Sequence, residues 1–218
     1  MARGRPASAP IPAQPPSSTK GYTVRSFRLA VAAFAALVLA GCYPPTTNHP
    51  IGTTTGLRPD PVLVGLWKGV PPDPSERGGY FHFLPQLDGT ITVILVQAGD
   101  KPDGDWNLVT TTTGKAGANR FMNVRMLSSN GKPEEGAPTG TVPVLYRIDA
   151  RGAMTLYMMD ETATGVAITS GKVKGVVEKG AYGDVIITAD PKALDRFMQG
   201  PAAIALFKKP FFTLHRME

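Results

Sequence analysis

Beyond residue 60, apolar and polar positions alternate along much of the chain. The ladder is clearest at Met122, Val124 and Met126, with Asn123 and Arg125 between them, and again at Val142, Val144, Tyr146 and Ile148. A period of two sends successive side chains to opposite faces. Each ladder therefore predicts a strand with one buried and one wet face, as in antiparallel sheets. Short apolar stretches separated by Gly, Pro, Asn and Asp extend the pattern to Val62–Val70, Gly79–Leu84, Thr90–Gln97, Asn107–Thr113, Arg120–Leu127, Val142–Asp149, Met154–Asp160, Lys172–Glu178, Asp184–Ala189 and Phe211–His215. Asp88-Gly89 reads as a hairpin turn, and Asp149–Gly152 as a longer one.

Two segments depart from this pattern. In Asp190–Gly200, Asp190 suits an N-cap, Pro191 the first helical position and Gly200 the stop. Leu194, Phe197 and Met198 then make one apolar stripe on a helix. Glu161–Ser170 reads as either a short helix or an irregular connection, because Gly165 and the β-branched Val166, Ile168 and Thr169 weaken it. Pro201–Phe207 is expected to add a turn of helix. Many short strands and a late helix predict a mainly β domain. It is expected to be an antiparallel up-and-down β-barrel or a sandwich, with the C-terminal helix packed on it or plugging one end. Closure favours the barrel, since it removes exposed edges.

The N-terminal part is organised differently. Leu29–Ala40 is an uncharged apolar run, preceded by Arg25 and Arg28 and followed by Gly41-Cys42. A basic region, an apolar stretch of about 7–15 residues and a small-residue cleavage site make a secretory signal. The run is too short to span a bilayer, which takes about 20 residues. Leu39-Ala40-Gly41-Cys42 resembles the lipobox of bacterial lipoprotein signals. The resemblance implies that the Cys42 thiol takes a diacylglyceryl group through a thioether. It also implies that the signal peptidase recognises Leu39, Ala40 and Gly41 and cuts before Cys42. Two or more acyl chains anchor a protein stably, whereas one holds it marginally. In place of the Asp that retains enteric lipoproteins at the inner membrane, Tyr43 follows the cysteine. That implies the periplasmic face of the outer membrane. An ordinary secretory signal followed by a buried thiol is the other reading of Cys42. Residues 1–23 make a long leader, and a translation start near Val24 would remove the excess. Cys42 is the only cysteine, so no internal disulfide can form.

The leader also changes the meaning of the formal charge of +6. Arg3, Arg5, Lys20, Arg25 and Arg28 lie upstream of Cys42, and no acidic residue does. The processed chain is nearly neutral, which removes the electrostatic case for nucleic acid as a partner. Tyr43–Asp60, built from Pro, Thr and Gly, reads as a solvated tether. The expected division is a signal peptide over 1–41, a lipidated cysteine and tether over 42–60, and a β-domain over 61–218.

Catalytic patterns are not found. There is no Gly-x-Ser-x-Gly elbow and no His-Glu-x-x-His. His82 falls on the face opposite Phe81 and Phe83, and neither it nor His215 has a third ligand at metal-binding spacing. His49 stands alone in the tether. Asp160-Glu161 fits the start of a helix, and Asp100–Asp105 a turn. No catalytic residue, metal or cofactor is expected. Met122, Met126, Met154 and Met158 fall in predicted strands. They would either fill the core or line a cavity for an apolar ligand.

Gly65-Leu66-Trp67, opening the first strand, resembles the Gly-x-Trp signature of lipocalins and wider calycins. That resemblance implies a tryptophan closing the barrel's base and an arginine from beyond the last strand stacked across it. Arg216 is the matching arginine. The lipobox, this strand and the late Thr-Ala-Asp-Pro-Lys-Ala-Leu helix together also resemble small bacterial lipoproteins, which brings no activity with it. The expectation is a membrane-anchored, non-catalytic β-domain that binds a hydrophobic small molecule. The alternative is a structural or assembly partner of envelope proteins, with a hydrolase third.

Overall fold

The computed structural model describes residues 44–97, 104–134, 140–178 and 184–218. The lipobox residues Leu39, Ala40, Gly41 and Cys42 lie outside them, as does most of Asp100–Asp105. In chain order the strands begin with β1 (Thr46–Thr47), β2 (Gly65–Val70), β3 (Gly79–Pro85), β4 (Ile91–Gln97), β5 (Asp105–Ala116) and β6 (Asn119–Ser129). They continue with β7 (Lys132–Pro133), β8 (Val142–Ile148) and β9 (Met154–Met158). Helix α1 (Glu161–Thr169), β10 (Gly175–Val177), β11 (Val185–Ile187), α2 (Pro191–Gln199) and α3 (Pro201–Ile204) precede the last strand, β12 (Pro210–Arg216).

Eight strands close into an antiparallel barrel. The ring runs β2-β3-β4-β5-β6-β8-β9-β12, and β12 pairs back onto β2. Each strand lies beside its successor in sequence, so the barrel is up-and-down and the sandwich is excluded. The meander follows from short turns. Asp88 accepts from Thr90 N at 2.9 Å, and Asp149 accepts from Arg151 N at 2.8 Å and Ala153 N at 2.9 Å. These carboxylates reproduce backbone turn bonds, while Gly89 and Gly152 take the positive φ the turns require.

Two apolar cores share the barrel wall. The inner core includes Trp67, Phe81, Phe83, Ile91, Leu95, Val109, Met122, Val144, Met154, Leu156 and Phe212. The second lies outside the barrel, where Phe121, Leu145 and Met159 meet Ala167, Ile187, Leu194, Met198 and Phe207. Strand β8 is therefore buried on both faces, with Val144 and Tyr146 inside and Leu145 beneath the helices.

The structure corrects two expectations. The segment 44–60 is not a solvated tether. Strand β1 pairs in parallel with β11, Ile51 is fully buried, and Asn123 clamps it by accepting from Ile51 N at 2.7 Å and donating to Ile51 O at 3.0 Å. The carboxylate of Asp195, itself buried, accepts from Gly52 N at 2.6 Å and Thr54 N at 2.8 Å. Backbone and polar contacts of this kind leave no trace in hydropathy. Second, Lys172–Glu178 and Asp184–Ala189 contribute no barrel strand. Their cores, β10 and β11, form a three-stranded sheet with β1, because Pro210–Arg216 already fills the seam. Of the two placements expected for the late helix, the structure shows the first: it packs on the barrel and plugs neither end. Helix α2 packs on the outer wall, and α1 and α3 join it there. Its N-cap is Asp190, accepting from Ala193 N at 2.9 Å. Helix α1 forms despite Gly165, since Asp160 caps Ala163 N at 2.8 Å and Thr164 and Ala167 are buried.

Candidate functional site

One end of the barrel is built around Trp67. The ring is 1 % exposed, and its Nε1 donates to Leu63 O at 2.8 Å. Leu63 ends a 3-10 turn, Pro61–Leu63, which Asp60 caps by accepting from Val62 N at 3.2 Å. The guanidinium of Arg216 lies 4.4 Å from the indole centroid, so the structure brings the two together. Its Nη1 donates to Val64 O at 2.6 Å and its Nη2 to Val62 O. Gly65 shows why a glycine precedes this tryptophan. It sits at φ +122°, and a Cβ there would stand 2.9 Å from Arg216 Nη1. Arginine, indole and 3-10 turn thus lock one another across the base.

Beside the base, a cleft of about 520 Å³ lies between the 55–61 segment and the β5–β6 hairpin. Tyr146 reaches it from the inner core, and its hydroxyl donates to Asp60 Oδ2 at 2.7 Å. Arg120 Nη1 reaches the same oxygen at 3.3 Å. Burial pushes the Tyr146 phenol well above the ordinary tyrosine range, and the hydrogen bond to anionic Asp60 adds to the rise. Arg58 and Lys115 also line the cleft. The arrangement is a polar lock with two further cations at its edge.

The candidate methionines are spread along the inner wall: Met126 and Met158, the last residue of β9, stand toward the opposite end, whereas Met154 opens β9 beside the base-side turn 149–152. Met122 and Met154 are buried in the inner core, while Met126 and Met158 are part-buried against it, together with Val124, Val142 and Phe211. Val144 is the register partner of both Met122 and Met158, and Val109 pairs with Met126. Two residues along β5 from Val109, on the same inward face, Asn107 is 2 % exposed and its Oδ1 has no hydrogen-bond partner. A buried acceptor left unpaired costs about 1–3 kcal/mol, so it is the one chemically unsatisfied point of this wall among the described residues.

Sequence reasoning missed Asp60, Tyr146, Arg120 and Asn107. Two of these carried a local signal. Asp60-Pro61 reads as a cap and first position, and asparagine is depleted in strands, most of all on a face otherwise filled by Val109, Thr111 and Thr113. His82 and His215 are exposed. Among the described residues, no group of His, Cys, Asp or Glu could hold a metal ion. No helix among them is long and apolar enough to cross a membrane.

The fold and these sites define a closed eight-stranded antiparallel barrel with a locked base and an apolar interior. Comparison with protein-family models, with curated proteins and with solved structures found no match.

Proposed function

We propose that the chain is a lipid-anchored envelope protein, acylated at Cys42 and held on the periplasmic face of the outer membrane. Its barrel is a non-catalytic binding module for an apolar small molecule. The observation that carries the binding role is Asn107. Its unpaired amide oxygen is buried on an inward wall between Leu95 and Ser129, two residues from Val109, whose register partner is part-exposed Met126. An apolar ligand with one hydroxyl or amine would satisfy that oxygen while covering those side chains. The lipocalin-like reading is supported by the up-and-down order and the Trp67–Arg216 base. The anchor rests on the Leu39–Cys42 sequence.

Native mass spectrometry of the processed protein from its own host tests the module. A co-purifying lipid-sized mass that falls in occupancy with Asn107→Leu is the expected result. Consistent absence of such a mass counts against it. The alternative, a structural or assembly partner, is favoured by the aromatic filling of the inner core, where Trp67, Phe81, Phe83 and Phe212 are buried and Phe81 and Phe212 stack edge to face at 5.2 Å. In that case a partner protein, and no small molecule, would co-purify.

A further inference from the structure

Five outward-facing apolar side chains of the barrel gather at one end, while Leu66, Leu87 and Met217 are the exposed apolar residues at the base. Val70 is the last residue of β2, Tyr80 the second of β3, Val96 the sixth of β4, and Trp106 the second of β5. Leu127 stands near the end of β6. The strands alternate in direction, so these five positions lie at the same end, the one opposite Trp67. Tyr80, Val96 and Trp106 are direct register partners across three strands. All five are 37–46 % exposed, which makes a continuous apolar belt. Isolated apolar residues on a surface need no explanation, but a rimmed, contiguous set marks an interaction site. Tyrosine and tryptophan in such a belt suit the boundary between lipid and water.

The chain enters the domain near that end. Thr47 bridges Thr141, each backbone donating to the other at 2.9 Å, and Thr141 directly precedes β8 at its belt-side end. Pro44 is the first described residue, two positions after Cys42. Two residues span at most about 7 Å. With 44–60 packed into the domain instead of free, an anchor at Cys42 has almost no slack. Cations and anions both stand at this end, Lys208 and Lys209 against Asp73 and Glu76, so apolar contact would do the seating. We infer that the belt of Val70, Tyr80, Val96, Trp106 and Leu127 docks on the lipid surface. The end of the barrel opposite Trp67 then faces the membrane and the Trp67 base faces the periplasm. This rests on the reading of Cys42 as acylated.

The chain's two tryptophans, Trp67 at the base and Trp106 in the belt, provide the test. The full-length protein, processed and purified, is reconstituted into phosphatidylcholine vesicles containing lipids brominated near the headgroup. Wild type is expected to lose part of its tryptophan emission, and Trp106→Phe to be unquenched while keeping the buried emission of Trp67 as proof of folding. Leu87→Trp in that background, on the exposed β3–β4 hairpin at the base, is expected to be unquenched too. Flotation with vesicles that requires Cys42, combined with an unquenched Trp106 or a quenched probe at 87, overturns the orientation alone. Flotation indifferent to Cys42→Ser overturns the acylation reading and the orientation with it.

Discussion

Arg216 and Trp67 are register partners across the seam where the last strand meets the first, and the guanidinium covers the indole at 4.4 Å. The pair closes the ring and the base at once. A guanidinium over an aromatic face is worth roughly 0.5–2 kcal/mol, and Arg216 adds two bonds to the carbonyls of Val62 and Val64. Arg216→Ala is expected to cost about 1–3 kcal/mol and to shift Trp67 emission to the red. Arg216→Lys keeps the charge without the planar fork, so it recovers only part of the loss. Urea melts monitored by fluorescence read both.

Asp195 is the fastener of the entering chain. Its buried carboxylate accepts the amides of Gly52 and Thr54 and the Thr54 hydroxyl. Asp195→Ala strands these donors and is expected to cost about 2–3 kcal/mol. Hydrogen exchange should rise over 50–55 well before the barrel strands lose protection.

Gly114 makes the companion case from backbone contact. A Cβ at that position would collide with the Ile51 carbonyl oxygen. Gly114→Ala is expected to destabilise by about 1–3 kcal/mol, with the same local exchange signature. A free tether over 44–60 would leave both substitutions without effect there.

Tyr146 supplies a pH dependence. Its phenol is held above the ordinary tyrosine range by burial first and by Asp60 second. The folded state therefore favours the protonated form. Its contribution is complete below the unfolded value of about 10 and is lost as pH rises beyond it. Wild-type stability is expected to fall above about pH 10 more steeply than that of Tyr146→Phe. At neutral pH Tyr146→Phe should cost about 1–2 kcal/mol. Denaturation across that range, with phenolate absorbance, separates the two variants.

Asn107 is expected to behave in the opposite way. Asn107→Leu replaces an unpaired acceptor by an apolar side chain of similar size. The ligand-free domain should be unchanged or gain up to about 1–3 kcal/mol, measured by thermal or urea unfolding. A clear loss would mean that the amide has a structural partner.

The strands were legible because inward and outward residues alternate, as in Met122-Asn123-Val124 or Val142–Ile148. Helix α2 was legible from its cap, its proline and its stripe. Gly65, Trp67 and Arg216 could be paired only through the Gly-x-Trp resemblance, since nothing local joins residues so far apart. The 44–60 segment was misread because what holds it, Asn123 and Asp195, lies distant in sequence and acts through hydrogen bonds. The Asp60–Tyr146–Arg120 lock was hidden for the same reason.

By itself, the sequence determined the local facts: which segments are strands, where turns and caps fall, and that the only cysteine follows an apolar run. These depend on neighbours in the chain, so periodicity and composition carry them. Tertiary structure alone decided that β12 closes on β2 and that β10 and β11 leave the barrel to pair with β1. It also decided that Asn107 is buried without a partner and that five separate apolar residues form one belt. Each depends on contacts across many residues, and side-chain pattern along one strand holds no record of what lies opposite.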